Sequence, residues 1–485
     1  MKDSTASRVF AVIAAAVTAA AALVALQQWL ACRPPHDIVV NLSGRDGRPE
    51  GGASADIATD LSGTHQEFGG AAASLPGAWA RFRGPDFDNI CKEGYRLAEA
   101  FRDGGPEILW SVELGEGHAA PAVLNGRVYV LDYDESARAD AVRCFSLEDG
   151  QEIWRHSYPV NIKRNHGLSR TIPAVTDEFV VTIGPRCHVV CLDATSGAFR
   201  WGVSMQEEYG STEPLWYTGQ CPLIDNGLAI LAPAGPDVLM TARACATGEP
   251  VWQTPNPRGW NMSHSSIMPM VFEGTRMFVY CAVGGIVGIA ADGPDAGRIL
   301  WEQPWSANVV APSPVPLGDG RVFCTAGYGN GSLMVQVRKA GDGFRAETVF
   351  ERGPAEWLAC EQQSPIYYDG LLHAIMPKDA GALRGQFVCY DPDGSLVWSS
   401  GPANRFGLGP FILADGKFYV LSDDGVLTVL EQNREQYVAL AQARILDGQD
   451  AWGPIAIAGT RMLLRDSTRM VCIDVSAAPG ESVSQ

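Results

Sequence analysis

The chain has 485 residues, of which 46% are apolar and 19% charged, with 53 glycines and 31 prolines. This composition allows a sizeable core and predicts many turns. Asp and Glu (55) outnumber Lys and Arg (37), and the net charge of −18, without any run of basic residues, excludes nucleic acid as a partner.

The N-terminal segment, 1–32, predicts a membrane anchor. The apolar run Val9–Leu26 follows Lys2 and Arg8, and as a helix it would span about 27 Å, close to the hydrocarbon thickness of a bilayer. Basic residues ahead of the run favour a cytoplasmic N-terminus and a body in the periplasm or elsewhere outside the cytoplasm. A cleaved signal peptide and a lipid anchor at Cys32 are alternatives that the sequence leaves open.

A flexible linker is predicted for 33–78. This stretch has few large apolar residues and contains the small-residue clusters 51–55 and 69–73. Such a composition does not offset the entropy of ordering the polypeptide. We therefore expect a spacer that holds a globular body away from the membrane.

The body is built from eight repeats, each marked first by a proline behind small or polar residues. A turn signal such as Asn125-Gly126 or Asp415-Gly416 follows most of these prolines, and a short β-rich run comes next. Asn-Gly and Asp-Gly supply the positive φ that tight hairpins require. The eight prolines are Pro121, Pro173, Pro222, Pro269, Pro314, Pro365, Pro410 and Pro454.

The second mark of each repeat is a strand, a polar turn with glycine, and then an aromatic residue. The segments 144–154, 191–201, 244–252 and 389–398 all end in tryptophan; Phe350 takes this position in one unit and Ala441 in another. About four short strands in roughly 46 residues are typical of a β-propeller blade. The sequence thus predicts an all-β, eight-bladed propeller over 107–475. Its last unit lacks a fourth strand, which we expect 107–113 to supply, closing the ring. A lead-in segment, 79–106, is expected to pack on the propeller, and 476–485 to form a disordered tail.

These repeats resemble the pyrroloquinoline-quinone-like (PQQ-like) β-propeller repeat family, in register over about 109–475. The segment 79–85, Trp-Ala-Arg-Phe-Arg-Gly-Pro, also resembles the lead-in of bacterial members that are membrane-anchored or secreted. The resemblance implies that the repeated tryptophans dock between neighbouring blades and have a structural role. They are Trp110, Trp154, Trp201, Trp252, Trp301 and Trp398.

The family implies two functional classes. Quinoprotein dehydrogenases bind the quinone and a calcium ion over the channel, and many that oxidise alcohols carry two adjacent cysteines beside the cofactor. The other class is non-catalytic and is exemplified by the lipoprotein subunit of the outer-membrane β-barrel assembly machine. This sequence has no Cys-Cys pair, no convincing Asp, Glu and Asn set for Ca²⁺, and no Cys-x-x-Cys-His haem motif.

We therefore expect no cofactor, no metal and no catalytic residue. The favoured hypothesis is a membrane-tethered scaffold outside the cytoplasm that binds protein or peptide partners, in envelope assembly. The alternative is a PQQ-dependent dehydrogenase that oxidises an alcohol or a sugar with PQQ and Ca²⁺. Most of the 12 cysteines are expected to be buried free thiols, because small side chains at positions such as Cys144 and Cys191 suit blade packing.

Binding, if it occurs, is expected at one mouth of the channel, where the inner strands begin. Residues a few positions ahead of the prolines should ring this end, and two longer loops, 208–217 and 256–264, should add aromatic groups above it. Clustered aromatic and cationic groups suit a carboxylate or a peptide. A water-filled polar funnel, with Asp450 neutralising the arginines, is the alternative. The candidate ligand-binding residues are His118, Arg170, His264, Arg405, Trp452 and Trp216, with Gln362, Phe406, Tyr217 and Trp260 nearby.

Overall fold

The computed structural model describes residues 3–31, 59–102, 104–341 and 343–477 and divides the protein into two units, 1–50 and 51–485. In the first unit, helix α1 (Asp3–Ala31) covers the predicted anchor, and the side chains of 13–28 are exposed. Among the described residues, no helix is long and apolar enough to cross a membrane. Residues 32–58 of the anchor and linker predictions, and 478–485 of the predicted tail, lie outside the described residues.

The second unit begins with strands that precede the repeats: β1 (Thr64–Glu67), β2 (Ile90–Cys91) and β3 (Glu107–Glu113). The flexible linker predicted for 33–78 is therefore wrong for its last part. Strand β1 pairs antiparallel with the outer strand of the first blade, and the carbonyl of the buried Leu61 lies 3.1 Å from Nε2 of His156. Pairing with a sheet edge orders a stretch whose composition alone predicts disorder.

Blades 1 to 4 are four-stranded antiparallel sheets whose strands follow one another in sequence order from the channel outward. Blade 1 comprises β4 (Ala122–Leu124), β5 (Arg127–Asp134), β6 (Ala139–Ser146) and β7 (Glu152–Pro159). Blade 2 comprises β8 (Ala174–Val175), β9 (Phe179–Ile183), β10 (His188–Asp193) and β11 (Phe199–Ser204), followed by helix α2 (Met205–Tyr209). Blade 3 comprises β12 (Leu223–Asp225), β13 (Leu228–Leu231), β14 (Val238–Ala244) and β15 (Pro250–Pro255). Blade 4 comprises β16 (Met268–Phe272), β17 (Thr275–Ala282), β18 (Gly284–Ala290) and β19 (Ile299–Trp305).

Blades 5 to 8 repeat this order. Blade 5 comprises β20 (Val315–Pro316), β21 (Arg321–Ala326), β22 (Gly331–Ala340) and β23 (Gly343–Arg352). Blade 6 comprises β24 (Ile366–Tyr368), β25 (Leu371–Ile375), β26 (Phe387–Tyr390) and β27 (Leu396–Ser399), with a short 3₁₀ helix at Gly381–Leu383. Blade 7 comprises β28 (Phe411–Ala414), β29 (Lys417–Leu421), β30 (Val426–Glu431) and β31 (Ala439–Arg444). Blade 8 comprises β32 (Ala456–Ala458), β33 (Arg461–Arg465) and β34 (Arg469–Asp474).

The fourth strand of blade 8 comes from upstream of the repeats. Strand β3 pairs antiparallel with β34, with Glu107 opposite Asp474 and Glu113 opposite Arg469. This is the pairing that the sequence predicts. The described residues thus form eight sheets, and the eight-bladed propeller predicted from the repeat count is confirmed.

The position of the repeated aromatic residue, held by Ala441 in blade 7, has the same register in every blade. In each sheet it pairs with the third strand next to a β-bulge, so the repeats read from the sequence are in structural register. The pairs are Cys144–Trp154, Cys191–Trp201, Ala242–Trp252, Gly288–Trp301, Met334–Phe350, Cys389–Trp398, Val429–Ala441 and Cys472–Trp110.

Several of these tryptophans contact the next blade along the ring. The indole Nε1 of Trp110, in blade 8, donates to the Leu147 carbonyl of blade 1 at 3.1 Å. In the same way Trp201 donates to the Cys245 carbonyl at 2.7 Å, and Trp398 to the Asn433 carbonyl at 2.9 Å. Hairpin glycines of the following blade lie against the rings: Gly150 on Trp110, Gly197 on Trp154, Gly248 on Trp201 and Gly297 on Trp252.

Blade 5 departs from this pattern. Its aromatic position holds Phe350, and the contact to the next blade is made instead by Trp357, which the sequence analysis did not single out. The two rings meet edge to face at 4.6 Å, and Trp357 lies against Gly394 in the turn of blade 6. Trp301 also differs, because its Nε1 donates to Sδ of Met277 in its own blade at 3.2 Å.

The first part of the lead-in segment, residues 79–91, lies inside the channel. Trp79 exchanges backbone hydrogen bonds with Val123 of blade 1, and the Ala80 carbonyl accepts from the Val175 amide of blade 2. Strand β2 pairs parallel with β28 of blade 7, and Arg83 donates to the Pro365 carbonyl at the start of blade 6. Blades 2 and 6 face each other in a ring of eight, so the segment crosses the channel.

Candidate functional site

A cavity of about 150 Å³ lies at the end of the channel where the inner strands begin. Its lining includes Phe82, Arg83 and Asn89 of the lead-in segment, which separate it from the rest of the channel. Five of the six candidate ligand-binding residues line it, together with Gln362: His118, Arg170, Trp216, His264 and Trp452. These five side chains, which the sequence analysis placed at one mouth of the channel, therefore lie together at one site.

Arg405, the sixth candidate, does not line the cavity. Its guanidinium instead donates to the carbonyl oxygens of Ala382 and Arg384 in the neighbouring loop of blade 6. Phe406 is buried against Phe387, and Trp260 is buried against Gly284. The spacing to a proline sets where a loop leaves the inner strand but not the direction in which its side chains point.

A series of hydrogen bonds joins the starts of successive inner strands around the cavity. The Ile172 amide donates to Sγ of Cys221, the Cys221 amide to Oγ of Ser266, and the Ser266 amide to Oγ of Ser313. The Ser313 amide then donates to Oγ of Ser364 at 2.8 Å. These contacts satisfy buried amides and explain why small polar residues precede the prolines. They link blades 2 to 6 within the wall of the cavity, which Ile172, Cys221, Ser266 and Ser364 help to line.

Two buried arginines, Arg83 and Arg465, and the partly buried Arg170 surround the cavity, and each bonds to backbone carbonyl oxygens. Arg83 donates to the carbonyls of residues 87, 88, 364 and 365. Arg465, behind His118, donates to those of residues 115, 119, 466 and 467. Burial lowers the pKa of Arg83, Arg170 and Arg465 to about 10 in each case, so all three remain charged at neutral pH. Within the described part of the protein, none of them forms an ion pair.

Arg170 differs from the other two because part of its guanidinium is free. Its Nε donates to the Trp216 carbonyl at 2.6 Å, and Nη2 donates to the carbonyls of Asn165, His166 and Gly167. Its Nη1 has no hydrogen-bond partner among the residues that the structure describes, and the side chain lines the cavity. This nitrogen is the cationic donor available to a ligand.

Aromatic rings form the wall and rim of the cavity. The ring of Trp216 lies between those of His264 and Tyr328, with centroid distances of 6.3 and 5.3 Å. Trp216, Tyr217 and Tyr328 all have positive φ, at 62°, 72° and 57°, a conformation that costs a bulky residue about 1–2 kcal/mol. Such strain concentrates at binding sites, where the surroundings hold it in place. Here the bond from Arg170 to the Trp216 carbonyl helps to do so.

The two histidines are neutral at physiological pH. Burial, together with Arg170, lowers the pKa of His118 to about 3 and that of His264 to about 4. Nε2 of His118 lies 3.1 Å from the His166 carbonyl, and its ring lies 5.0 Å from that of Trp452. An efficient general base has a pKa near the operating pH, so both side chains are poor bases.

One carboxylate, that of Glu361, lines the cavity, and Nζ of Lys378 lies 3.4 Å from it. The described residues contain no group of three or more His, Cys, Asp or Glu side chains that could hold a metal ion. Calcium takes six to eight oxygen ligands. Glu361 is the one carboxylate that the described lining offers to such an ion. The sequence analysis missed Arg83 and Tyr328, which belong to segments without a repeat mark, and also Glu361, although it lies four positions ahead of Pro365.

Comparison with known proteins supports the repeat assignment. The family model described as outer membrane protein assembly factor BamB matches residues 138–343. Among solved structures, a quinohemoprotein alcohol dehydrogenase from Comamonas testosteroni is 14% identical, with a TM-score of 0.58 over 85% of this protein and 83% of that one. A europium-containing methanol dehydrogenase is 13% identical, with a TM-score of 0.56 over 82% and 90%. BamB from Moraxella catarrhalis is 15% identical, with a TM-score of 0.47 over 78% and 99%.

No curated protein sequence matches this one. At these identities the structural likenesses show the fold alone. A fold alone does not decide function, so the function has to be argued from the cavity.

Proposed function

Since this protein is an eight-bladed propeller of the PQQ-like repeat family, we propose that it is a non-catalytic scaffold that binds a protein or peptide partner at the channel mouth. The observation that carries the proposal is the cavity over the lead-in segment, with an unpartnered Nη1 on Arg170 and the strained Trp216 at its rim. A small cavity at the centre of a rigid ring suits the anchoring of one group of a larger partner.

The rim supplies apolar surface for the rest of that partner. Tyr328, which is 52% exposed, stacks on Trp216, and Leu215, which is 47% exposed, precedes Trp216 in the chain. Aromatic residues around a central pocket are typical of those that dominate protein–protein binding. A peptide that places one side chain or terminus in the cavity would cover this rim.

The dehydrogenase alternative is less well supported by the same residues. Electron transfer from an alcohol to a quinone needs a base and a cation held beside the cofactor. The histidines of the cavity have low pKa values, and its carboxylate, Glu361, is paired with Lys378. The cavity has a hydrogen-bond donor for a ligand, Nη1 of Arg170. Among the described residues it has one carboxylate as a ligand for calcium.

We place the propeller outside the cytoplasm, tethered through the N-terminal segment, with a role in envelope assembly. The support is the basic residues Lys2 and Arg8 ahead of the apolar run in α1 and the exposure of Val17 and Leu23 in that helix. A helix with so many exposed apolar side chains gains free energy when they leave water. Attachment is tested by fractionating cells that produce the full-length protein.

Site-specific photocrosslinking tests the binding proposal. Leu215 or Tyr328 is replaced by p-benzoylphenylalanine in the full-length protein, produced in its native cells. Both rim variants should give the same discrete crosslinked product on irradiation. The matched control is Val251, which is 56% exposed on the outer strand of blade 3 and should give none. No product at the rim, or the same product at Val251, would refute binding at the mouth.

A further inference from the structure

Among the described residues, no carboxylate lies within ion-pair distance of the three arginines at the cavity, although Asp88, Glu116, Asp132 and Asp466 act on them from farther away. Elsewhere in the propeller, largely buried arginines are paired: Arg143 with Asp132 at 2.9 Å and with Glu152 at 2.8 Å, and Arg243 with Glu208. The three arginines at the cavity have backbone carbonyl partners and no ion pair within the described ranges. A buried or partly buried charge without a counter-charge in contact is costly, so the cavity favours a ligand that brings one to Arg170.

We propose that the group received by the cavity is a carboxylate, bound by Nη1 of Arg170 and carried next to an aromatic or apolar group. This inference rests on the proposed function and names the chemistry of the anchor. Nη1 can donate to one oxygen of a carboxylate, and a charge-assisted bond of this kind is about twice as strong as a neutral one.

The hydrogen bonds already made by Arg170 argue for a carboxylate over a phosphate. A phosphate or sulfate is usually recognised by several donors at once, often by the whole arginine fork. Here Nε and Nη2 are committed to the carbonyls of residues 165, 166, 167 and 216. The neutral histidines add no further positive charge. One free nitrogen suits a single contact to a monoanion better than the several contacts that a dianionic phosphate requires.

The aromatic walls of the cavity determine which kind of chemical group can lie next to the bound carboxylate. Trp216 stacks with Tyr328 and His264 on one side, and Trp452 lies 5.0 Å from His118 on another. An apolar or aromatic group between such faces loses contact with water at little cost in entropy. The C-terminus of a polypeptide whose last residue is aromatic has both parts, and so does a free aromatic acid.

The test uses phenylacetate and its uncharged isostere phenylacetamide, titrated calorimetrically into the purified full-length protein. The acid should bind at least about tenfold more tightly than the amide, because a charge-assisted bond replaces a neutral one. Inorganic phosphate should bind more weakly than the acid. Equal binding of acid and amide, no binding of either, or tighter binding of phosphate would overturn the proposal.

A variant locates the site. Arg170→Gln should abolish the preference for the acid, whereas Arg321→Gln, at a surface arginine paired with Asp319, should preserve it. If Arg170→Gln does not fold, the acid and amide comparison on the unmodified protein still decides. To separate the sources of the carboxylate, peptides ending in phenylalanine are compared as free acids and as C-terminal amides. The acid peptide should bind more tightly than phenylacetate if a protein terminus is the ligand, and more weakly if the ligand is a small acid.

The two proposals can fail separately. A crosslinked partner at Leu215 without any preference for the acid would support the scaffold proposal and refute the carboxylate proposal. A clear preference for the acid without a crosslinked partner would support the carboxylate proposal and refute the scaffold proposal.

Discussion

Replacing Gly150 by alanine tests how the first and last blades are joined. Gly150 has φ +70°, and a Cβ there would lie 2.7 Å from Cε3 and 2.8 Å from Cδ2 of Trp110. Gly227 is a matched control, because its φ is +75° and an added Cβ would meet no atom within 4 Å. Both variants incur the left-handed penalty of about 1–2 kcal/mol, and the clash adds about 1–3 kcal/mol to Gly150→Ala.

We therefore expect Gly150→Ala to lose about 2–5 kcal/mol of unfolding free energy and Gly227→Ala about 1–2 kcal/mol. Urea denaturation followed by far-UV circular dichroism measures both. In a Trp110→Val background the excess cost at Gly150 should shrink, which a double-mutant cycle quantifies. Equal losses in the two glycine variants, or an excess that survives in the Trp110→Val background, would refute docking of this tryptophan across the seam.

Three further substitutions probe the channel and the core. Ser313→Ala leaves the buried Ser266 amide without its acceptor and should lower the unfolding free energy, measured in urea, by about 1–3 kcal/mol. Ser313→Thr keeps a hydroxyl and should lower it less. Equal losses in the two variants would contradict the hydrogen-bond series. Burial raises the pKa of Asp140, which accepts from the Tyr158 hydroxyl, to about 7. The stability that the protonated Asp140 contributes is thus present below about pH 4 and lost as pH rises through about 7. The unfolding free energy of the unmodified protein should therefore fall by about 4 kcal/mol over this range, and Asp140→Asn should not show this fall. Parallel pH profiles of the two proteins would contradict this. Arg83→Gln should raise hydrogen exchange in 79–91, and unchanged exchange would show that the arginine does not hold this segment in place.

The propeller could be predicted because its repeats encode local structure. A proline, an Asn-Gly or Asp-Gly turn and an aromatic residue each have a fixed place in a blade, so their recurrence gives the number and register of the blades. Even degenerate units such as the one with Ala441 keep this register, as the pairing with Val429 shows. The strand 107–113 was identified in the same way, from Trp110 at the repeat spacing.

The filling of the channel could not be predicted in this way. Arg83 bonds to the carbonyl of Pro365, which is 282 positions away, and nothing in the repeat pattern links the two. Trp357 lies outside the aromatic position of its unit, so its role in place of Phe350 depends on loop geometry. Arg405 failed as a site residue for the same reason.

The ring of candidate residues was predictable in part. His118, Arg170 and Trp452 precede inner strands at similar spacings, and equivalent positions in a ring of blades meet at the axis. Which arginine offers a free nitrogen depends on the carbonyls around it, and these come from the loop 165–167 and from Trp216. Such contacts have no signature in a single sequence.

The claim that the protein is non-catalytic is tested most directly by reconstitution with PQQ and Ca²⁺. The purified full-length protein is incubated with both, and reduction of an artificial electron-acceptor dye is followed with alcohols and sugars as substrates. We predict no substrate-dependent reduction above that of the protein-free mixture, since the lining of the cavity offers one carboxylate, Glu361, paired with Lys378. Saturable binding of the quinone together with dye reduction that depends on an alcohol or sugar would contradict the scaffold.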